Sequence, residues 1–473
     1  MVFTAPSFLF FFLPLTLLLN LIFYRFKSRN LVLLILSLFF YIFGEGELVL
    51  LMFGSITLNY FLGRWIEKDK SKKSIVIGVA VNIILLIVYK YTNFIIDNIN
   101  YLLEAIEVNP IDGVNIKLPV GISFYTFQSI SYLIDVYRND NKSQKSFIDL
   151  ALFIALFPQL IAGPIVRYKD IANQLKNRVL YFDDFFYGVK RFIIGFCKKV
   201  LIANTLAVTS DIIFDLDISL LDSSTAWLGI IFFTLQVYFD FSGYSDMAIG
   251  LGYMLGFKFM ENFNFPYISK SVKELWTRWH ISLSIWFRDY LYIPLGGSRK
   301  GVMRTYFNLF MVFFLTGLWH GASWNFIVWG VIHGIFMIIE KLGFDKILKK
   351  IGFLQHIYTL LIFIVALTVF RNDTLREGYD YILMMFTNMH SDVHYSASMF
   401  LSKENIIVAF FAVIMSFNGL NLLGNKIMSV ASSNLIIMNI LLNIRNIGLL
   451  LAFIYSIMSI TAGSYNPFIY FRF

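Results

Sequence analysis

The sequence predicts an all-α protein embedded in a membrane, and three observations carry that prediction. The 473 residues are 58% hydrophobic and only 15% charged, where an ordinary soluble domain carries about 25% charged residues. Apolar runs recur along the whole chain, at 31–43, 75–89, 226–238, 305–319, 358–370, 406–415 and 447–460. The basic residues fall between these runs, in alternate loops. With their flanks, several runs reach the roughly 20 residues that a helix needs to cross the hydrocarbon core, giving about eleven spans plus shorter re-entrant pieces. No polar stretch is long enough for a separate soluble domain, the largest being the loop at 388–403, so residues 1–473 read as a single transmembrane domain.

The first run, 5–24, has no basic segment before it and no small-residue cleavage site after it. It therefore reads as a span and not as a removable secretory signal. Arg25, Lys27 and Arg29 follow it, and by the positive-inside rule they put this loop in the cytoplasm and the N-terminus outside. The loop at 44–47 has no basic residue, whereas Arg64, Lys68, Lys70, Lys72 and Lys73 return the chain to the cytoplasm. Asp211, Asp215, Asp217 and Asp222 then fall outside. Lys270, Lys273, Arg278, Arg288, Arg299 and Lys300 fall inside, as do Lys341, Lys346, Lys349 and Lys350. The C-terminus is expected outside. The net charge of +9 is thus a topology signal for a multi-pass protein of the cell membrane. Its scattered bases, without a nucleic-acid module, exclude nucleic-acid binding. The single Cys197 has no partner for an internal disulfide and reads as a small packing residue.

Residues 1–100 hold few polar groups inside their apolar runs and read as scaffold. Between 118 and 334 the texture changes, and 354–473 returns to spans. At 157–168, Pro158 and Pro164 remove backbone donors and Gly163 permits unusual dihedrals, so a broken helix lining a cavity is expected. At 240–246, Asp240, Ser242, Ser245 and Asp246 enter the membrane together. Ionisable groups in spans are costly and tend to face an interior path, and the structural alternative is a helix break with mutually bonded side chains. No internal repeat of the secondary-transporter kind stands out.

Six histidines are present. His320 interrupts an apolar stretch, 306–339, too long for one crossing, so the chain is expected to break near His320, Gly321, Ala322 and Ser323, with Trp319 and Trp324 walling a pocket. An imidazole there can take a proton from an attacking hydroxyl and return one to a leaving group. The structural alternative is a packed histidine bonded to a carbonyl. His280 would share a helical stripe with Trp276, Leu283 and Phe287 on an interfacial helix, or sit at the headgroup boundary. His333 reads as a packing residue and ranks third, and His356 as interfacial. His390 and His394 lie in the polar loop, where nothing completes a metal site.

Five motifs stand in order: Leu118-Pro-Val-Gly-Ile-Ser-Phe-Tyr-Thr-Phe-Gln128, Phe157-Pro-Gln-Leu-Ile-Ala-Gly-Pro164, Asp240-Phe-Ser-Gly-Tyr-Ser-Asp-Met-Ala-Ile-Gly250, residues 276–297 ending Arg288-Asp-Tyr-Leu-Tyr-Ile-Pro-Leu-Gly-Gly297, and Leu318-Trp-His-Gly-Ala-Ser-Trp324. Together they resemble the membrane-bound O-acyltransferase family, in its bacterial branch that acetylates cell-surface polysaccharides. The resemblance implies a ring of tilted helices around a thinned centre, with His320 at the core and His280 nearer the cytoplasm as catalytic histidines. Asp240, Trp319, Trp324, Ser323 and His333 are candidate supporting residues.

The resemblance also implies acetyl-CoA as the cytoplasmic donor substrate, with no bound cofactor and no metal. An extracytoplasmic acetyltransferase or carrier would pass the acetyl group to a polysaccharide. Arg278, Arg288, Arg299 and Lys300 are candidates for attracting the donor phosphates, although positive-inside bias explains them equally. Two rival readings remain. One is D-alanyl transfer to teichoic acid, and the other is a transporter or flippase using Asp240, Asp246 and the histidines as translocation groups.

Overall fold

The protein was analysed as a computed structural model that describes residues 1–387, 395–431, 434–463 and 465–467. His390 and His394 lie outside the described residues. After a π turn at Phe8–Phe12 come α1 (Leu13–Phe23), α2 (Arg29–Glu45) and α3 (Val49–Asp69). α4 (Lys72–Leu86) runs through a π turn, Ile87–Tyr91, into α5 (Thr92–Glu104). Next are α6 (Ile122–Tyr137), the short α7 (Phe147–Ala155), α8 (Phe157–Leu160) and α9 (Tyr168–Asn177), then α10 (Phe182–Cys197), α11 (Asn204–Phe214) and α12 (Ser223–Leu255). The short α13 (Val272–Arg278) and α14 (Ile281–Phe287) precede α15 (Val302–His320), α16 (Trp324–Ile339) and α17 (Asp345–Leu348). The chain closes with α18 (Leu354–Arg371), α19 (Leu375–Phe386), α20 (Lys403–Ser416), α21 (Gly419–Ala431) and α22 (Leu435–Thr461).

The predicted all-α class holds: among the described residues the one β contact is an isolated bridge between Leu221 and Tyr395. Among the described residues, eight helical stretches are long and apolar enough to cross a membrane, against about eleven expected from apolar runs. The motif-bearing segments account for part of the difference, because α7 to α9, α13 and α14 are too short to span. Another part is Arg29–Asp69, a single stretch by length that is bent at Gly46, where φ is 58°. α6 and the 33-residue α12 are buried along most of their length, whereas α22 exposes its apolar side chains, as a lipid-facing helix does.

The chain breaks at 157–168 as the prolines predict. α7 stops at Ala155, α8 lasts four residues, and Leu156 to Val166 are all buried. At 240–246 the outcome differs, because α12 runs through the motif without a break. Its carboxylates are satisfied from the neighbouring α10 and the π turn after it. Asp240 lies 2.8 Å from Lys199, and Asp246 lies 2.6 Å from Arg191 and 2.7 Å from Lys198. Asp211, expected in an outer loop, lies on α11 and pairs with Arg371 of α18 at 2.7 Å.

These charges meet because the two helices touch backbone to backbone. Gly188 faces Gly250 and Gly195 faces Gly243, an antiparallel register. A Cβ on Gly250 would come within 2.6 Å of the Gly188 carbonyl oxygen, and one on Gly243 within 2.7 Å of that of Gly195. Small residues at such crossings let membrane helices approach closely. Gly243→Leu should therefore lower stability by about 2 kcal/mol or more through overpacking. Gly448→Ala, which would meet open space, should not. Thermal unfolding of the detergent-solubilised protein checks both.

Candidate active site

His320 is the last residue of α15. The chain leaves it in extended form at Gly321, and the Ser323 hydroxyl accepts the Asn325 N–H at 3.4 Å to start α16. The break falls where the sequence places it, and it is held tight, since a Cβ on Gly321 would collide with the Phe326 ring. His320 retains 8% exposure, whereas His280 and His333 retain none. All three are buried, and His320 keeps the most exposure of the three.

His280 corrects its own expectation. The stripe drawn through Trp276, His280, Leu283 and Phe287 assumes one helix, but α13 ends at Arg278 and Trp279 is extended. His280 itself is left-handed, with φ 43° and ψ 54°, as the residue before α14. A side chain other than glycine rarely adopts this conformation. Here it turns the imidazole into the protein interior, where it is fully buried. Its Nδ1 lies 3.1 Å from Asn262 Oδ1, which also accepts from the Ser282 N–H at 3.2 Å and the Ser282 hydroxyl at 2.8 Å. Asn262 Nδ2 donates to Ser245 of α12 at 3.0 Å, which fixes the amide. Nδ1 then carries the proton, and Nε2, which has no partner among the described residues, is left with its lone pair free.

The same knot joins distant motifs, for the Ile165 N–H, just beyond Pro164, donates to Ser282 Oγ at 2.9 Å. Sequence reading missed Asn262 and Ser282, because a neutral amide and a hydroxyl among aromatics carry no signal of their own. Their value comes from meeting at His280.

Rings connect the histidines. Trp319 stands between them, its centroid 6.0 Å from His280 and 5.1 Å from His320. Trp329 lies 4.9 Å from His320 and 5.2 Å from His333, and Trp276 lies 5.2 Å from His333. Neither ring nitrogen of His333 has a partner among the described residues. Trp324 is not part of this group, since its indole N–H donates to Asn98 at 2.9 Å on an exposed edge. Asp240 is engaged by Lys199, and Ser323 serves as a helix cap. His356 Nδ1 lies 3.2 Å from the Ser269 carbonyl, and Cys197 receives a contact from Ser456 at 3.7 Å.

A cavity of about 1150 Å³ lies beside this group. Its lining includes the buried Trp276 and Phe313, both packed on His333. Its exposed rim includes Lys270, Lys273, Arg288, Lys341 and Lys349. Of the four cations expected to attract donor phosphates, only Arg288 lines it. Arg278 is turned aside by Glu274 at 2.9 Å, and Arg299 and Lys300 sit in an exposed turn. Arg288 is itself paired with Asp289 at 2.8 Å. Burial opposes ionisation of Asp289, but the Arg288 hydrogen bond and the charges of Arg288, Arg167 and Lys169 hold its carboxyl below the usual range. Lys270, Lys273 and Lys341 form no ion pair among the described residues. Glu340 on the same rim accepts the N–H groups of Val272 and Lys273 at 2.6 and 3.0 Å, anchoring the start of α13.

A helical membrane protein with two buried imidazoles at interior chain breaks, one of them with a free lone pair, near a basic-rimmed cavity, has the make-up of an integral-membrane group-transfer enzyme. The chain belongs to the membrane-bound O-acyltransferase family, which its residues 138–370 match. The probable alginate O-acetylase AlgI of Pseudomonas putida is 40% identical over 493 residues, covering 100% of both chains. The peptidoglycan O-acetyltransferase of Helicobacter pylori is 35% identical over 72% of this chain and 70% of its own. The teichoic acid D-alanyltransferase of Bacillus subtilis is 31% identical over 49% of this chain and 60% of its own.

Asn262 gives this site a direct test. Asn262→Ala should slow acyl transfer by roughly ten- to a hundred-fold, the loss that follows removal of a buried partner worth about 1–3 kcal/mol. Rates normalised to folded protein in the membrane would measure it.

Proposed function

We propose that this enzyme takes an acetyl group from acetyl-CoA at the cytoplasmic face and passes it across the cell membrane for O-acetylation of a surface or exported polysaccharide. An extracytoplasmic protein would complete the delivery, with both termini of the chain on that outer side. The observation that carries the reading is His320, an imidazole at a helix break in the protein interior, on the same helix as Thr316 of the basic-rimmed cavity and one turn beyond it. The full-length likeness to an alginate O-acetylase supports the acetyl and polysaccharide parts.

In the proposed step an acceptor hydroxyl attacks the thioester carbonyl and its proton passes to His320. The C–O bond forms as the C–S bond breaks, and the electron pair leaves on sulfur into the cavity. His280, oriented by Asn262, offers its free Nε2 as the neighbouring acceptor. His320→Ala should abolish surface O-acetyl ester, read as alkali-released acetate, while the protein still inserts in the membrane. Normal acetylation in that variant would sink the assignment.

The rim lysines would hold the phosphates of coenzyme A. Joint replacement of Lys270, Lys273 and Lys341 by Gln should raise KM for acetyl-CoA on the order of ten-fold, an effect that fades at high salt. KM for a short uncharged acetyl thioester should stay unchanged. D-alanyl transfer is the rival within the family, and the Bacillus subtilis relative matches only part of the chain. Acetyl-CoA and a D-alanyl carrier thioester, offered in turn to the purified protein, separate the two. Radiolabelled acetyl-CoA that leaves label on glycan separates both from a transporter.

A further inference from the structure

An α-helix leaves its last four carbonyls without donors of its own. Many helices settle this with a left-handed glycine or with water. α15 does neither, since Gly321 is extended and the helix ends in the protein interior. All four carbonyls are nevertheless met. The Gly317 oxygen receives the Gly321 N–H at 3.3 Å. The Leu318 oxygen receives the Tyr91 hydroxyl at 2.5 Å. The oxygens of Trp319 and His320 both receive the Lys90 ammonium, at 2.6 and 3.1 Å.

The third hydrogen of Lys90 goes to Ser123 Oγ at 3.3 Å. Its three donors thus end on three neutral oxygens, and it forms no ion pair among the described residues. An ammonium held at three points has little freedom left, and neither has the backbone it grips. On an ordinary helix two consecutive side chains diverge by about 100°. Lys90 and Tyr91 instead belong to the π turn Ile87–Tyr91, and they converge on one helix end. Such turns recur at functional sites. This segment lies in the part of the sequence that reads as plain scaffold, and outside the residues 138–370 matched to the family.

We propose that Lys90 is a positioning residue for acyl transfer: with Tyr91 it clamps the broken end of α15 and so holds the His320 imidazole in the acyl path. The inference rests on reading His320 as the proton acceptor. A cation inside the membrane is costly where a neutral donor would cap the same carbonyls. At the negative end of a helix dipole, however, the ammonium adds a favourable charge interaction to its hydrogen bonds.

The test measures thiol release from acetyl-CoA over a range of donor concentrations, in membranes carrying the full-length protein or its variants. Each rate is normalised to monodisperse protein extracted in detergent. Lys90→Met should lower kcat by roughly ten-fold or more with KM within about two-fold, the pattern of a contact that matters in the transition state and not in donor binding. Tyr91→Phe, which removes one hydroxyl, should lower kcat by about three- to ten-fold with the same constancy of KM. Wild-type kcat in both variants overturns the proposal, and so does a loss confined to KM. If Lys90→Met yields no monodisperse protein, Tyr91→Phe decides alone. His320→Ala in parallel keeps the two ideas apart. Turnover in His320→Ala removes the proton-acceptor reading, whereas an inactive His320→Ala beside fully active Lys90→Met and Tyr91→Phe removes only the clamp.

Discussion

A chain that stops being helical inside a membrane must find protein partners for the backbone groups it frees, because hydrocarbon offers none. Most of what distinguishes this interior follows from that constraint. The end of α15 is closed by Lys90, Tyr91 and Gly321. The start of α13 is closed by Glu340, and the chain beyond Pro164 by Ser282. Apart from the Gly321 N–H, each of these closures is made by a side chain remote in sequence, so the breaks fix the relative positions of helices that share no loop. The two imidazoles inherit that rigidity, since one is the last residue of α15 and the other the hinge between α13 and α14.

The two histidines are prepared in different ways. At His280 the side chain is fixed: Asn262 settles which nitrogen carries the proton, and Ser245 settles which way Asn262 faces. At His320 the backbone is fixed, while the ring is edged by Trp319, Trp329 and Phe370. One fixed side chain beside one fixed backbone end would give the proposed acyl transfer two pre-placed proton acceptors.

Much of this was legible in the sequence, for reasons specific to particular residues. The class followed from apolar runs and alternating basic loops. The breaks at 157–168 and after His320 followed from Pro158, Pro164 and an apolar stretch too long to cross once. α12 was misread because Asp240 and Asp246 were weighed without their partners: Lys199, Arg191 and Lys198 lie about fifty residues earlier, and sequence spacing does not show that Gly188 and Gly195 let the helices meet. Which cations line the cavity was not legible for a similar reason. Arg278 lies one helical turn after Glu274, which ties it up, while Lys341 looked like ordinary topology and stands on the rim. Lys90 was invisible because nothing local distinguishes a lysine at the end of a span from one that reaches back into it.

The ion-paired contact of α10 with α12 also bears on how the protein is made. A carboxylate at the middle of a lone helix opposes entry into the bilayer by roughly 2.5–3.5 kcal/mol, and α12 carries two. The cations that neutralise them arrive earlier in synthesis, on α10 and the turn that follows it. The favourable arrangement for the insertion machinery is therefore to retain α10 until α12 emerges and to release the two together as a hairpin, already neutral and seated along their glycines.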